Sequence, residues 1–135
     1  MPRDYTKIKA WQLADRLALL VYKATKTFPK SEVWALTSQM RRSAVSVAAN
    51  IVEGAARKNR NEYLQFLYIA ISSLAELTYY IRFTKELEYL DTKTYEELSA
   101  KAQEGLRTLQ GLISYIEKSE VWSLRSAIQC LNFSE

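Results

Sequence analysis

The sequence predicts an all-α protein, an antiparallel up-down-up-down four-helix bundle with a short C-terminal helical extension. Three observations predict it. Four long segments repeat apolar residues at three- and four-residue spacing. The chain has 3 Gly and 2 Pro among 135 residues, too few for the turns of an all-β fold. The segments are joined by short polar turns, which make successive helices antiparallel. The length fits one domain, with the bundle over residues 1–118 and an apolar extension over 119–135.

The first helix is expected from about residue 6 to 26. Ile8, Trp11, Ala14, Leu17, Ala18, Val21, Tyr22 and Thr25 form its buried stripe. Phe28-Pro29 stops it, because a residue preceding proline is pushed out of the α region. The second helix is expected over 32–55, capped by Ser31 with Glu32 against the positive end of its dipole. Leu36, Met40, Ala44, Val47, Ile51 and Ala55 make its core stripe. Val45, Ala48, Ala49 and Val52 make a second stripe facing elsewhere. Gly54 suits a C-terminal cap at positive φ. Asn59 and Glu62 have capping-box spacing for a third helix over 60–87. Its stripe is Tyr63, Phe66, Leu67, Ala70, Leu74, Leu77, Ile81 and Thr84. The fourth helix is expected over 94–118, with Thr94, Asp91 or Thr92 as its cap. Its core runs through Tyr95, Leu98, Ala102, Leu106, Leu109, Ile113 and Ile116. Gly105 and Gly111 in its interior each cost about 1 kcal/mol of helix propensity, whether they mark close packing or are tolerated. The extension contains Val121, Trp122, Leu124, Ile128, Leu131 and Phe133, too apolar for a solvated tail. It is expected to dock as a short fifth helix on the bundle or on a neighbouring subunit.

The segment Arg41 to Glu62 is the most unusual. Arg41 and Arg42 precede a patch of small apolar residues, and Arg57, Lys58 and Arg60 follow it. A helix apolar on most sides packs on more than one neighbour, which in a short chain predicts a homo-oligomer. The formal net charge of +4 is unevenly spread. Residues 1–60 carry 12 Lys/Arg and 4 Asp/Glu, and residues 61–135 carry 7 and 11. Such a dipole either guides packing between the halves or leaves a basic face for phosphate.

Much chemistry is excluded. There is no histidine, and the single cysteine, Cys130, cannot build a zinc site or an internal disulfide. Cys130 reads as a small buried hydrophobe. No glycine-rich loop is present to cradle a phosphate. No metal or cofactor is expected, and no catalytic residue is nominated. Glu53, with Asn50 and Gly54, is read as a structural or interface element. Its carboxylate is expected to be a buried polar lock with Arg41, Arg57 or a residue of another subunit. Trp11, Trp34 and the nine tyrosines read as core or interface residues, since base stacking requires exposure beside arginines. No run long enough to span a bilayer and no signal-peptide core are read in the sequence, which predicts a cytoplasmic protein without a membrane partner.

Several pieces in order carry a resemblance. They are Trp11-Gln12-Leu13-Ala14, Val21-Tyr22, Phe28-Pro29, Leu36-Thr37-Ser38-Gln39-Met40-Arg41-Arg42-Ser43-Ala44, Asn50-Ile51-Val52-Glu53-Gly54 and Ser73-Leu74-Ala75-Glu76-Leu77. Over about residues 5–118 the chain resembles the bacterial four-helix-bundle family of 23S rRNA intervening-sequence proteins. That family also includes the accessory variability determinant of diversity-generating retroelements. The resemblance implies a homopentameric ring and, for the retroelement members, a basic surface that binds nucleic acid and a reverse transcriptase. It maps the basic positions to Arg41, Arg42 and Arg57. Val52 stands where alanine is common in the Asn-Ile-x-Glu-Gly piece.

The leading expectation is therefore a non-enzymatic oligomeric scaffold that binds structured RNA, or DNA, through Arg41, Arg42, Arg57, Lys58 and Arg60. The alternative is a protein-interaction module in which Arg41 and Arg42 are structural. A nuclease is the third reading, and the lack of clustered carboxylates opposes it.

Overall fold

A computed structural model describes residues 3–132, with side chains described through Ser119. Four helices form it: α1 (Lys9–Ala24), α2 (Leu36–Ala55), α3 (Arg60–Glu86) and α4 (Thr92–Asn132). Each packs on two neighbours in the cyclic order α1–α2–α3–α4, with the most extensive contact between α2 and α3. Pairs at their ends make neighbours antiparallel: Arg41 on α2 reaches Tyr22 near the end of α1, and Tyr68 on α3 bonds Glu117 on α4.

The expected stripes become the core, except that Tyr22 of the first helix and Val45 and Ala49 of the second stripe of α2 are exposed. Leu17, Val21, Met40, Val47, Ile51, Leu67, Leu74, Leu77, Ile81, Leu98 and Leu109 are almost completely buried. Burying a side chain of this size contributes about 1.5–3 kcal/mol. Thr84, equally buried among them, bonds its hydroxyl to the carbonyl of Tyr80 at 2.7 Å, which removes the penalty of an unpaired polar group.

The ends depart from expectation in informative ways. α1 is shorter than expected, and short 3₁₀ turns at Tyr5–Lys7 and Thr25–Thr27 flank it. α2 begins at Leu36, not at residue 32. Lys30–Glu32 forms a 3₁₀ turn closed by the Glu32 N–H on the Pro29 carbonyl, and Ala35 leaves the helical region at φ −121°, ψ −107°. The cap is the Glu32 carboxylate, which accepts from the Leu36 N–H at 3.3 Å in place of Ser31. Asn59 does cap α3, accepting from Asn61 N–H at 2.7 Å and Glu62 N–H at 3.3 Å. Asp91 caps α4 through the Thr94 N–H at 2.7 Å, and this bond holds its carboxyl below the ordinary carboxylate range. α3 ends in paired turns, Glu88 N–H to the Lys85 carbonyl and Tyr89 N–H to the Thr84 carbonyl. Glu88 stands there at φ 64°, the left-handed position that glycine usually fills.

The expected fifth helix is absent as a separate element. The backbone of α4 continues without a break through Ser119 to Asn132, because no proline or glycine follows Gly111 to stop it. The docking expected of this segment lies outside the described side chains. One further correction concerns α3. By length and composition alone it is apolar enough to cross a membrane, which the sequence reading denied. Its buried residues, from Tyr63 to Thr84, serve the bundle core, while Tyr68, Ile69, Ala75 and Tyr79 are exposed beside Glu62, Gln65, Ser72, Glu76 and Arg82.

Candidate nucleic-acid interface

The basic residues sit at the two ends of α2, with Arg41 and Ala55 about 21 Å apart along its axis. At the first end, Arg41 is half-buried. Its Nε donates to Thr25 Oγ1 at 2.8 Å, and its guanidinium lies 4.7 Å from the centre of the Tyr22 ring. The α2 register dictates this contact, since Arg41 is three residues before the buried Ala44 and falls on the edge facing α1. Arg42, one residue on, turns out to solvent. Both arginines line an open cleft of about 570 Å³ with Tyr22, Val33, Trp34, Thr37 and Ser38. Trp34 is 92% exposed. It stands in the irregular turn ahead of α2, which carries it away from the core.

At the other end, Arg57, Lys58 and Arg60 are exposed around the α2–α3 turn. Sequence reasoning missed a fourth cation there, Arg3. Its backbone N–H donates to the Ala55 carbonyl at 3.2 Å and its Nη1 to the Arg57 carbonyl at 2.8 Å. Its guanidinium lies 4.4 Å over the Tyr63 ring, whose hydroxyl pKa is raised by burial. Arg57 in turn lies 4.9 Å over Phe66. A contact spanning 54 residues leaves no local signal in the sequence. Among the described residues the ion pair seen is Lys101 with Glu104, so no carboxylate of those residues pairs with these cations.

Three expected structural residues separate. Asn50 donates to the Ser46 carbonyl at 2.8 Å and to Ser46 Oγ at 3.0 Å, and Ser46 Oγ meets Ser73 Oγ at 2.8 Å. This polar chain ties α2 to α3. Gly54 is buried inside α2, and no glycine has a positive φ. It is not a cap; it permits close approach. A Cβ there would lie 2.9 Å from Phe66 Cβ and 3.2 Å from the Tyr63 carbonyl oxygen. Glu53 is exposed, and its carboxylate pairs with neither Arg41 nor Arg57. Within the single chain the burial expected of this carboxylate is absent, because Glu53 sits opposite the Ile51–Ala55 stripe on the helix.

Among the described residues no three His, Cys, Asp or Glu side chains gather as a metal site requires. What the arrangement offers is fixed positive charge at two ends and a bare indole beside one of them.

Comparison with known proteins agrees with this architecture. No curated protein shows a significant match. A protein of unknown function from the S23 ribosomal protein family of Bacteroides thetaiotaomicron, solved at 1.70 Å, superposes with a TM-score of 0.69. The two chains are 22% identical over 77% of this chain and 97% of that one, a likeness of fold. The family profile described as 23S rRNA-intervening sequence protein matches residues 6–111, the four-helix core with both ends of α2, and the chain therefore belongs to that family.

Proposed function

We propose that the protein is a non-enzymatic, homo-oligomeric scaffold that binds structured RNA. The observation that carries this reading is Trp34, 92% exposed in the cleft lined by Arg41 and Arg42. An exposed indole beside guanidinium groups offers a base a stacking surface and its phosphates a counter-charge. Arg3, Arg57, Lys58 and Arg60 supply a second set of cations.

The test is titration of labelled structured RNA across a salt series. Binding should weaken steeply with salt. Trp34→Ala should lose roughly 1–3 kcal/mol per stacked base with the salt slope kept. Arg57→Glu with Arg60→Glu should flatten the slope. No binding at low salt, or full affinity in Trp34→Ala, refutes the reading.

One observation favours a second reading for one residue. Arg41 is held by Thr25 and Tyr22, as a structural arginine in a protein-interaction module would be. Arg42 has no such contact, so the two readings divide between neighbouring residues.

A further inference from the structure

The cleft at the start of α2 combines two kinds of surface. Val33, 45% exposed, and Tyr22, 42% exposed, give it apolar area, and Trp34 stands bare beside them. Arg41 and Arg42 give it charge, and no carboxylate lines it. Thr37 lies one turn before Arg41 and Ser38 one turn before Arg42, so each arginine has a hydroxyl on its own side of α2. Arg41 is already held in place, its Nε by Thr25 Oγ1 at 2.8 Å and its Nη2 by the Tyr22 carbonyl at 3.4 Å. Its Nη1 has no acceptor among the described residues. A guanidinium fixed before its ligand arrives loses little conformational freedom on binding.

An aromatic face beside two guanidinium groups, with no carboxylate, matches a planar base carried on a phosphate. The cleft, about 570 Å³, has the size of a small-molecule site and is far too small for a duplex. Within a duplex both faces of each base are covered by its neighbours, so an indole reaches a base only where the stack is broken. The deep, narrow major groove of an RNA helix is closed to side chains as well. We infer that the cleft takes one unpaired nucleotide of a folded RNA, its base on the Trp34 indole and its phosphate on Arg41 and Arg42. This assignment rests on the RNA-binding reading and narrows it. Arg3, Arg57, Lys58 and Arg60 supply charge for paired stem, and the cleft selects the bulge or loop beside it. Stacking tolerates any base, so the selection is for an unpaired position rather than for a sequence.

The test compares two labelled RNA duplexes with the same ends, one uninterrupted and one carrying a single unpaired adenosine. Each is titrated with the full chain at several salt concentrations. The unpaired adenosine should strengthen binding roughly 5- to 150-fold, the worth of one stacked base. Trp34→Ala should abolish that preference and leave the affinity for the uninterrupted duplex unchanged. Arg42→Gln should weaken binding of the bulged RNA and lower its salt slope by about one. By light scattering, Trp34→Ala should keep the mass of the wild type. Equal affinity of the wild type for the two RNAs overturns the inference, and RNA binding itself stands if Trp34→Ala weakens both. A preference that survives in Trp34→Ala overturns it as well. A lower mass for Trp34→Ala assigns the indole to a subunit contact and overturns it too. Adenosine monophosphate at matched ionic strength is the third probe. Tight binding of it, with no preference between the RNAs, makes the cleft a free-nucleotide site and overturns the RNA assignment. No binding of either RNA at low salt removes the proposed function and the inference together.

Discussion

Gly54→Ala isolates how closely α2 and α3 approach. The new methyl group would lie 2.9 Å from Phe66 Cβ, 3.0 Å from Tyr63 Cδ2 and 3.2 Å from the Tyr63 carbonyl oxygen. Two of these atoms belong to or adjoin the α3 backbone and cannot swing aside, so the helices must separate. Overpacking costs about 1–3 kcal/mol, and against atoms that cannot swing aside the upper half of that range applies, about 2–3 kcal/mol. Alanine returns about 1 kcal/mol of helix propensity, which leaves a net loss of about 1–2 kcal/mol. For a chain of this size each kcal/mol moves Tm by roughly 3–4 °C, so the expected fall is roughly 3–8 °C. Gly111→Ala is the matched control, since nothing lies within 4 Å of its Cβ position. It should gain about 0.5–1 kcal/mol and raise Tm by a few degrees. Thermal melts by circular dichroism measure both. A Gly54→Ala protein melting at or above the wild type would show that α2 and α3 are not in the close contact described, and the reasoning would fail.

Four further substitutions probe the ends of the helices. Glu88→Gly should raise stability by about 1 kcal/mol in urea unfolding, because Glu88 occupies φ 64° at the end of α3; an unchanged midpoint refutes it. Arg41→Ala should cost about 1–2 kcal/mol through its bond to Thr25 and its stacking on Tyr22, while Arg42→Ala should leave the unfolding free energy of a single chain within about 0.5 kcal/mol. Equal effects of the two would contradict the division between them. Asp91 has its carboxyl held below the ordinary value of 3.8 by the Thr94 N–H, so it binds fewer protons folded than unfolded. Its contribution is present above pH 4 and lost as pH falls through its folded value, and Asp91→Asn should reduce the drop in Tm between about pH 5 and pH 2. An identical drop in both proteins rules this out.

The helix cores were legible because their signal is periodic and local. Every α3 stripe residue except Phe66 is buried, and Phe66 is half-buried because it lies at the edge facing α2. The start of α2 was not legible. Ser31 and Glu32 both look like a first turn, and only the chain path shows that Glu32 reaches forward as a cap. Gly54 was misread for a related reason, since sequence cannot separate a glycine needed for positive φ from one needed for space. Glu53 could have been placed, because a residue two after Ile51 and two before Ala55 falls opposite their stripe. In the candidate interface, the exposure of Trp34 depends on how an irregular turn runs. The arrival of Arg3 depends on tertiary contact alone.

That arrival bears on the order in which the molecule assembles. Residue 3 precedes in the chain both carbonyls that hold it, those of Ala55 and Arg57 in the α2–α3 hairpin. Its segment must therefore wait for a later one before it can dock. The Arg3 amide then becomes a natural reporter on the hairpin: its hydrogen-exchange protection should vanish whenever α2 and α3 part, even while α1 stays helical.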